Sequence, residues 1–213
     1  MPRISEEDRL ARRQQILDAA RVCVLEHGLE AVSMEMIINR SGLSTGAVYR
    51  YFKGKDEILS AAITEASEEI SAAVAPVVVD PKPGSPSEWL ERLLVAQIGY
   101  SRGGVGAAID VDRMLVAVHG WSYAQTDPQL KATVEASIKA FRSLCVPVVK
   151  QWQADGEVDA GADPDVVAQL IVSICLGFVA QHTLVGDASV KAHADALAAL
   201  ASSHRVPAAT QAQ

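Results

Sequence analysis

Two short runs that each open on a serine, Ser33 to Arg40 and Ser44 to about Phe52, are separated by only Ser41-Gly42-Leu43. Few folds accept that spacing. A serine ahead of an apolar periodic run caps a helix, and glycine between two such runs permits a sharp turn while the next apolar residue buries at the junction. The pattern predicts two short helices in a helix-turn-helix arrangement. In the second helix Val48 and Phe52 lie one turn apart and face a core with Leu43, so Thr45, Gly46, Tyr49 and Arg50 face outward.

Helical spacing extends in both directions. Upstream, Leu10, Leu17, Ala20 and Val24 fall on one stripe, with Ile16 and Cys23 beside it and a stop at Gly28. Downstream, Gly54 breaks the third helix and a longer fourth runs from Lys55 to about Ala75, ended by Pro76. The segment PVVVDPKPGSPS, with prolines at 76, 81, 83 and 86, reads as a loop. Beyond it, helices are expected near Glu88–Ser101, Ile109–Ala124, Pro128–Ala154, Asp163–Val185 and Ser189–Ser202, with the glycine-rich SRGGVG and the polar DGEVDAGADPD between them. Val77-Val78-Val79 is the one β-like piece, and it is short and bounded by prolines. The expected fold class is therefore all-α, a short-helix front followed by a longer-helix back. The tail VPAATQAQ is expected to be disordered. Cys23, Cys145 and Cys175 are too far apart in sequence for a metal or redox pair, and are expected as reduced core residues.

Charge separates the two parts. The chain carries a net charge of -7, yet its first 60 residues balance nine Lys and Arg against nine Asp and Glu. Within SGLSTGAVYRYFKGK, Ser41 to Lys55, two tyrosines, one arginine and two lysines stand without a carboxylate. Local field, not overall charge, attracts a polyanion. Short hydroxyl and backbone donors at the amino end of the second helix, flanked by tyrosine and lysine, suit a duplex with about one negative charge per 1.7 Å of axis. A solvated amphipathic surface has the same composition, so the order of turn, caps, buried positions and basic flank carries the reading.

Residues Ile16 to Leu59, 44 of 213, resemble the amino-terminal DNA-binding domain of the tetracycline-repressor (TetR) family. The resemblance rests on ILDAA, the HG that ends helix one, SGLSTGAVYRYF, and K-x-K before an acidic residue and an apolar pair. It implies a three-helix DNA-binding domain over residues 1–54 and a helical ligand-binding and dimerising domain over 55–205, with 206–213 as tail. Carried over position by position, it makes Thr45 and Gly46 the residues nearest base edges and sets Tyr49 and Tyr51 against the sugar-phosphate backbone. Lys55 becomes a phosphate-binding lysine, and Ser33 and Ser44 become caps beside phosphate. Two positions depart from the family pattern. Ile38 stands where alanine is usual and would hold the two short helices farther apart, and Glu35 near the groove would repel phosphate unless it accepts from a cytosine amino group.

In the back, Val166 to Val185 is apolar nearly all round and must be buried on several sides. Twenty such residues could span a membrane. Gln169, Gln181, His182 and the flanking Asp163, Asp165 and Asp187 argue instead for one side against the chain's own core and another against a second copy. With the alanine-rich helix 189–202 it would form half of a four-helix interface, as the resemblance also implies. A twofold homodimer would then offer two recognition helices to a pseudo-palindromic double-stranded DNA site.

Met114, His119, Trp121, Tyr123, Phe141, Trp152 and Phe178 are candidates to line a pocket for a small apolar or amphipathic effector, although aromatics at this spacing also serve as ordinary core. Binding there would favour a conformation in which the fourth helix has moved and the recognition helices no longer fit the groove. No metal, cofactor or membrane partner is expected, and the amino terminus MPRISEEDRLARRQQIL lacks a secretory core, which points to the cytoplasm. An all-helical enzyme is the rival reading. It lacks support from G-x-S-x-G, H-E-x-x-H, P-loop or dinucleotide motifs, and Asp110 and Asp112 fall on different helix faces. A protein adaptor using the basic face is the third.

Overall fold

The computed structural model describes residues 5–98 and 111–202, the side chains of 111–114 and 201–202 excepted. Among the described residues there are nine α-helices and no strand: α1 Glu6–His27, α2 Met34–Ser41, α3 Thr45–Val48, α4 Lys55–Val78, α5 Pro86–Ile98, α6 Val111–Tyr123, α7 Pro128–Ala154, α8 Pro164–Leu184 and α9 Val190–Ser202. The SRGGVG segment, Asp110 and the carboxy-terminal tail lie outside the described residues.

Local chemistry sets most boundaries. Ser5 accepts the Asp8 amide at 3.0 Å, Ser33 that of Met36 at 3.2 Å and Ser44 that of Ala47 at 3.3 Å, so each satisfies an orphan donor of the helix it opens. Glu6, Glu7 and Asp8 add negative charge to the first turn of α1, and Gly28 closes it by donating to the Val24 carbonyl at 2.8 Å. Asp163 caps α8.

Three expectations change. α3 ends at Val48 and continues as a turn through Tyr51, because Arg50 and Tyr51 bond back three residues, to Ala47 and Val48. Pro76 does not end α4. The helix runs to Val78, where Val74 and Val78 are buried and Trp89 Nε1 donates to the Val77 carbonyl at 3.1 Å, so tertiary packing offsets the bond lost at proline. The β-like valines are thus helix end. Leu10 leaves the expected core stripe: it is 57% exposed, since buried positions of α1 begin only at Ile16.

The chain divides into two compact units. One holds the described residues up to Ile70 together with 111–137, and the other holds 71–98 together with 138–202. In the first, Ile16, Leu17 and Val24 of α1 join Ile37, Val48, Phe52, Ile58, Leu59 and Ile63 in one core, to which α6 adds Val116 and α7 adds Leu130. Each large side chain so buried stabilises by about 1.5–3 kcal/mol relative to exposure. Buried Arg21 is neutralised by Asp18 at 3.0 Å and by Glu65 of α4. Gly120 of α6 faces α4 so closely that an added Cβ would collide with Ile63.

The second unit centres on Trp89, Leu93 and Leu94 of α5, Cys145, Val149 and Trp152 of α7, and Cys175 and Phe178 of α8. Trp89 and Trp152 meet edge to face with centroids 5.3 Å apart, and Trp152 Nε1 donates to the Gly84 carbonyl at 2.8 Å. The three cysteines are buried and free, and burial pushes the thiols of Cys145 and Cys175 up to about 12. α8 is long and apolar enough to cross a membrane, with a mean hydropathy of 1.7, yet only a third of that window is buried. Val166, Leu170 and Leu184 on α8, Val185 just after it and Leu200 on α9 remain exposed.

Candidate nucleic-acid interface

The turn between α2 and α3 is fixed from both sides. Gly42 sits at φ 66°, a left-handed conformation that a side chain disfavours, and closes α2. Ser41, buried, donates from Oγ to the Ile38 carbonyl at 2.9 Å and accepts the Leu43 amide at 3.3 Å. Gln15 of α1 reaches across and donates to the Ser41 carbonyl at 2.7 Å. That clamp joins residues 26 apart in sequence, and no local pattern signals it.

With Val48 and Phe52 buried and Leu43 packed against the same core, α3 has one possible outer face. Thr45 and Gly46 of α3 and Tyr49 and Arg50 of the turn that continues it are all exposed, Tyr49 by half its surface. Ser33 and Ser44 are exposed too. Their oxygens already accept helix amides, which leaves each hydroxyl proton available to an outside acceptor. Tyr51 is half-buried against the core, and Lys55, half-buried, opens α4. Behind this face, Arg13 of α1 lies over the Phe52 ring, 5.4 Å from its centroid, and Arg40 of α2 pairs with Glu26 of α1. Glu57, exposed, accepts the Lys53 amide at 2.6 Å. Glu35 stays exposed in the first turn of α2, where its charge suits the helix end, and Ile38 packs partly buried against the core.

The structure thus brings Ser33, Ser44, Thr45, Gly46, Tyr49, Tyr51 and Lys55 into one compact unit. It does not do so for the expected pocket residues. His119, Trp121 and Tyr123 belong to the first unit, Phe141, Trp152 and Phe178 to the second, and the side chains of Asp112 and Met114 lie outside the described residues. His119 is exposed, and Trp121 and Phe141 are half-buried. Tyr123 donates to Asp56 of α4 at 2.7 Å, and burial followed by that carboxylate pushes its phenol up. Phe178 is buried under two imidazoles. His182 stacks on it at 5.7 Å with its Nδ1 buried and without a hydrogen-bond partner, and His193 meets it edge-on at 5.0 Å. Among the described residues no group of three His, Cys, Asp or Glu could hold a metal ion.

Comparison with known proteins places this geometry. Residues 16–62 match the model of bacterial regulatory proteins of the tetR family, and residues 106–204 match the carboxy-terminal model of BetI-type transcriptional repressors. An HTH-type transcriptional repressor of Mycobacterium tuberculosis is 36% identical over 75 residues, 35% of this chain and 40% of the repressor's own length. The match to an HTH-type repressor of Corynebacterium diphtheriae likewise spans 40% of that relative. An HTH-type transcriptional regulator, BetI, of Vibrio atlanticus is 26% identical over 86% of this chain and 85% of its own. Among solved structures, Salmonella enterica GusR superposes with a TM-score of 0.69 at 22% identity, over 95% of this chain and 98% of that one. The regulator FadR of Bacillus subtilis, solved in complex with stearoyl-CoA, gives 0.66 at 18% identity, over 88% and 96%. At these identities the structural likeness speaks to fold.

Proposed function

This chain belongs to the tetR family of bacterial regulatory proteins, and from that premise we propose that it is a transcriptional repressor that binds a pseudo-palindromic operator as a homodimer. The observation that carries the reading is the outer face of α3. Val48 and Phe52 anchor it from behind, the Gly42 turn aims it, and Thr45, Gly46, Tyr49 and Arg50 are exposed and make no side-chain hydrogen bond or ion pair among the described residues. Thr45 and Gly46 approach base edges, and Tyr49, Tyr51, Lys55 and the hydroxyls of Ser33 and Ser44 meet the phosphates on either side.

Residues 1–54 act as the DNA-binding domain and 55–205 as the ligand-binding and dimerisation domain. The exposed apolar residues of α8 and α9 supply a face for a second copy, through helices near 163–185 and 189–202. Two copies carry two α3 helices, which suits successive major grooves. An apolar or amphipathic effector bound within the helical domain releases the operator by favouring a conformation in which α4 has moved. Such coupling is limited to the effector's differential affinity for the two states. The protein acts in the cytoplasm, where its operator is.

Selection of bound duplexes from a random pool tests the reading. Enrichment of an inverted repeat, with binding that weakens as salt rises, is the expected result. Retention that ignores salt, or no enriched sequence at all, would overturn it.

A further inference from the structure

Gly46 has no structural reason to be glycine. It lies in the first turn of α3 without a positive φ, and a Cβ added there would meet no atom within 4 Å. Glycine in a helix is about 1 kcal/mol less favourable than alanine. The fold obtains nothing in return. A missing side chain on an exposed face is useful only to something that approaches from outside.

Arg50 stands four residues on, exposed, in the turn between buried Val48 and buried Phe52. Most arginines of this unit are already committed. Arg9 pairs with Glu6, Arg21 with Asp18 and Glu65, Arg40 with Glu26, and Arg13 covers Phe52. Arg50 has no ion pair or hydrogen bond from its guanidinium among the described residues, and no carboxylate lies between Ser41 and Lys55 to neutralise it. Lys53 and Lys55 follow at the Gly54 turn and the head of α4, beyond the α3 face, as point charges suited to phosphate. A guanidinium differs from them in being a planar fork. It matches the two acceptors, O6 and N7, that guanine presents in the major groove.

We infer that Arg50 is a further base-reading residue of this module, donating to the O6 and N7 edge of a guanine, and that the absent side chain of Gly46 lets the backbone approach closely enough for it to reach. The inference rests on the operator-binding reading above and narrows it: each half-site carries a G·C pair at a fixed place, read by a side chain and not by the fold.

Selection from a random duplex pool is run in parallel with the full-length protein, Arg50→Ala, Arg50→Lys and Gly46→Ala, each checked for unchanged thermal unfolding. With the unaltered protein, an inverted repeat with an invariant G·C pair in each half is expected. Arg50→Ala should still enrich the repeat but lose preference at that pair alone, binding the original site roughly tenfold to a hundredfold more weakly. Arg50→Lys should restore the preference only in part, since a point charge lacks the fork. Gly46→Ala should melt no lower than the original and yet bind at least about tenfold more weakly, a split that a purely structural glycine cannot give.

Two results would overturn the inference while leaving operator binding intact. One is an enriched repeat that Arg50→Ala selects with the same preference at every position. The other is a uniform loss across all sequences, with the salt slope reduced by about 0.9, which marks a phosphate contact. If the unaltered protein enriches no repeat, operator binding itself fails and this inference fails with it.

Discussion

Lys55 and Asp127 show how single side chains in the first unit carry separable tasks. Lys55 opens α4 without an ion pair among the described residues, and its proposed partner is a phosphate. Lys55→Ala should weaken binding to all duplexes alike and reduce the dependence of log affinity on log salt by about 0.9, one released counterion. A salt titration of affinity decides it; an unchanged slope removes Lys55 from the contact set. Asp127 caps α7 by accepting the amides of Gln129 at 2.9 Å and Leu130 at 3.1 Å, and accepts Ser60 of α4 at 2.7 Å. The Ser60 hydroxyl first, then the Leu130 amide, holds its carboxyl below the ordinary 3.8. A depressed folded value means the stabilisation is fully present above 3.8 and lost as pH falls through the folded value. Asp127→Ala should therefore destabilise by about 1 kcal/mol at neutral pH. The difference from the original protein should shrink progressively below pH 3.8 in denaturant titrations.

Among elements, α4 and α6 of the first unit approach closely at one point. Gly120 meets Ile63 with no room for a Cβ, while Tyr123 at the end of α6 and Asp127 at the head of α7 bond to Asp56 and Ser60 of α4. Gly120→Ala should destabilise by about 1–3 kcal/mol through overpacking. Adding Ile63→Val should recover part of that, because the two changes share one contact and are not additive. Equal unfolding free energies for the single and double variants would show that the helices part without cost. The sequence disclosed α6 as a helix and Gly120 as an unremarkable residue within it. Nothing in its spacing tells which helix passes overhead.

At the scale of the whole molecule, the exposed apolar residues of α8 are the feature a single chain leaves unresolved. Val166, Leu170 and Leu184, with Val185 just after the helix, would be stabilised by covering, and the proposed second copy would cover them symmetrically. Leu170→Arg should convert a dimer to a monomer in sedimentation and lower affinity for the inverted repeat by about a hundredfold or more, since the second half-site contact is no longer intramolecular. A Leu170→Arg protein that sediments as the original does would place the dimer face elsewhere.

Capping chemistry and periodicity are local, and so the sequence alone determined the serine caps at 33 and 44, the turn at Gly42, the outer and inner sides of α3, the full span of α7 and the all-helical class. These depend on residues within a few positions of one another, where hydrogen bonds and burial follow directly from spacing. Tertiary structure alone decided that α4 continues past Pro76 under the indole of Trp89, that Gln15 clamps the turn between α2 and α3, that buried Arg21 finds Glu65, and that α6 packs in the first unit. Each of those couples residues separated by 12 or more positions. A contact of that kind is won by the packing of whole helices, and no propensity of the residues themselves announces it.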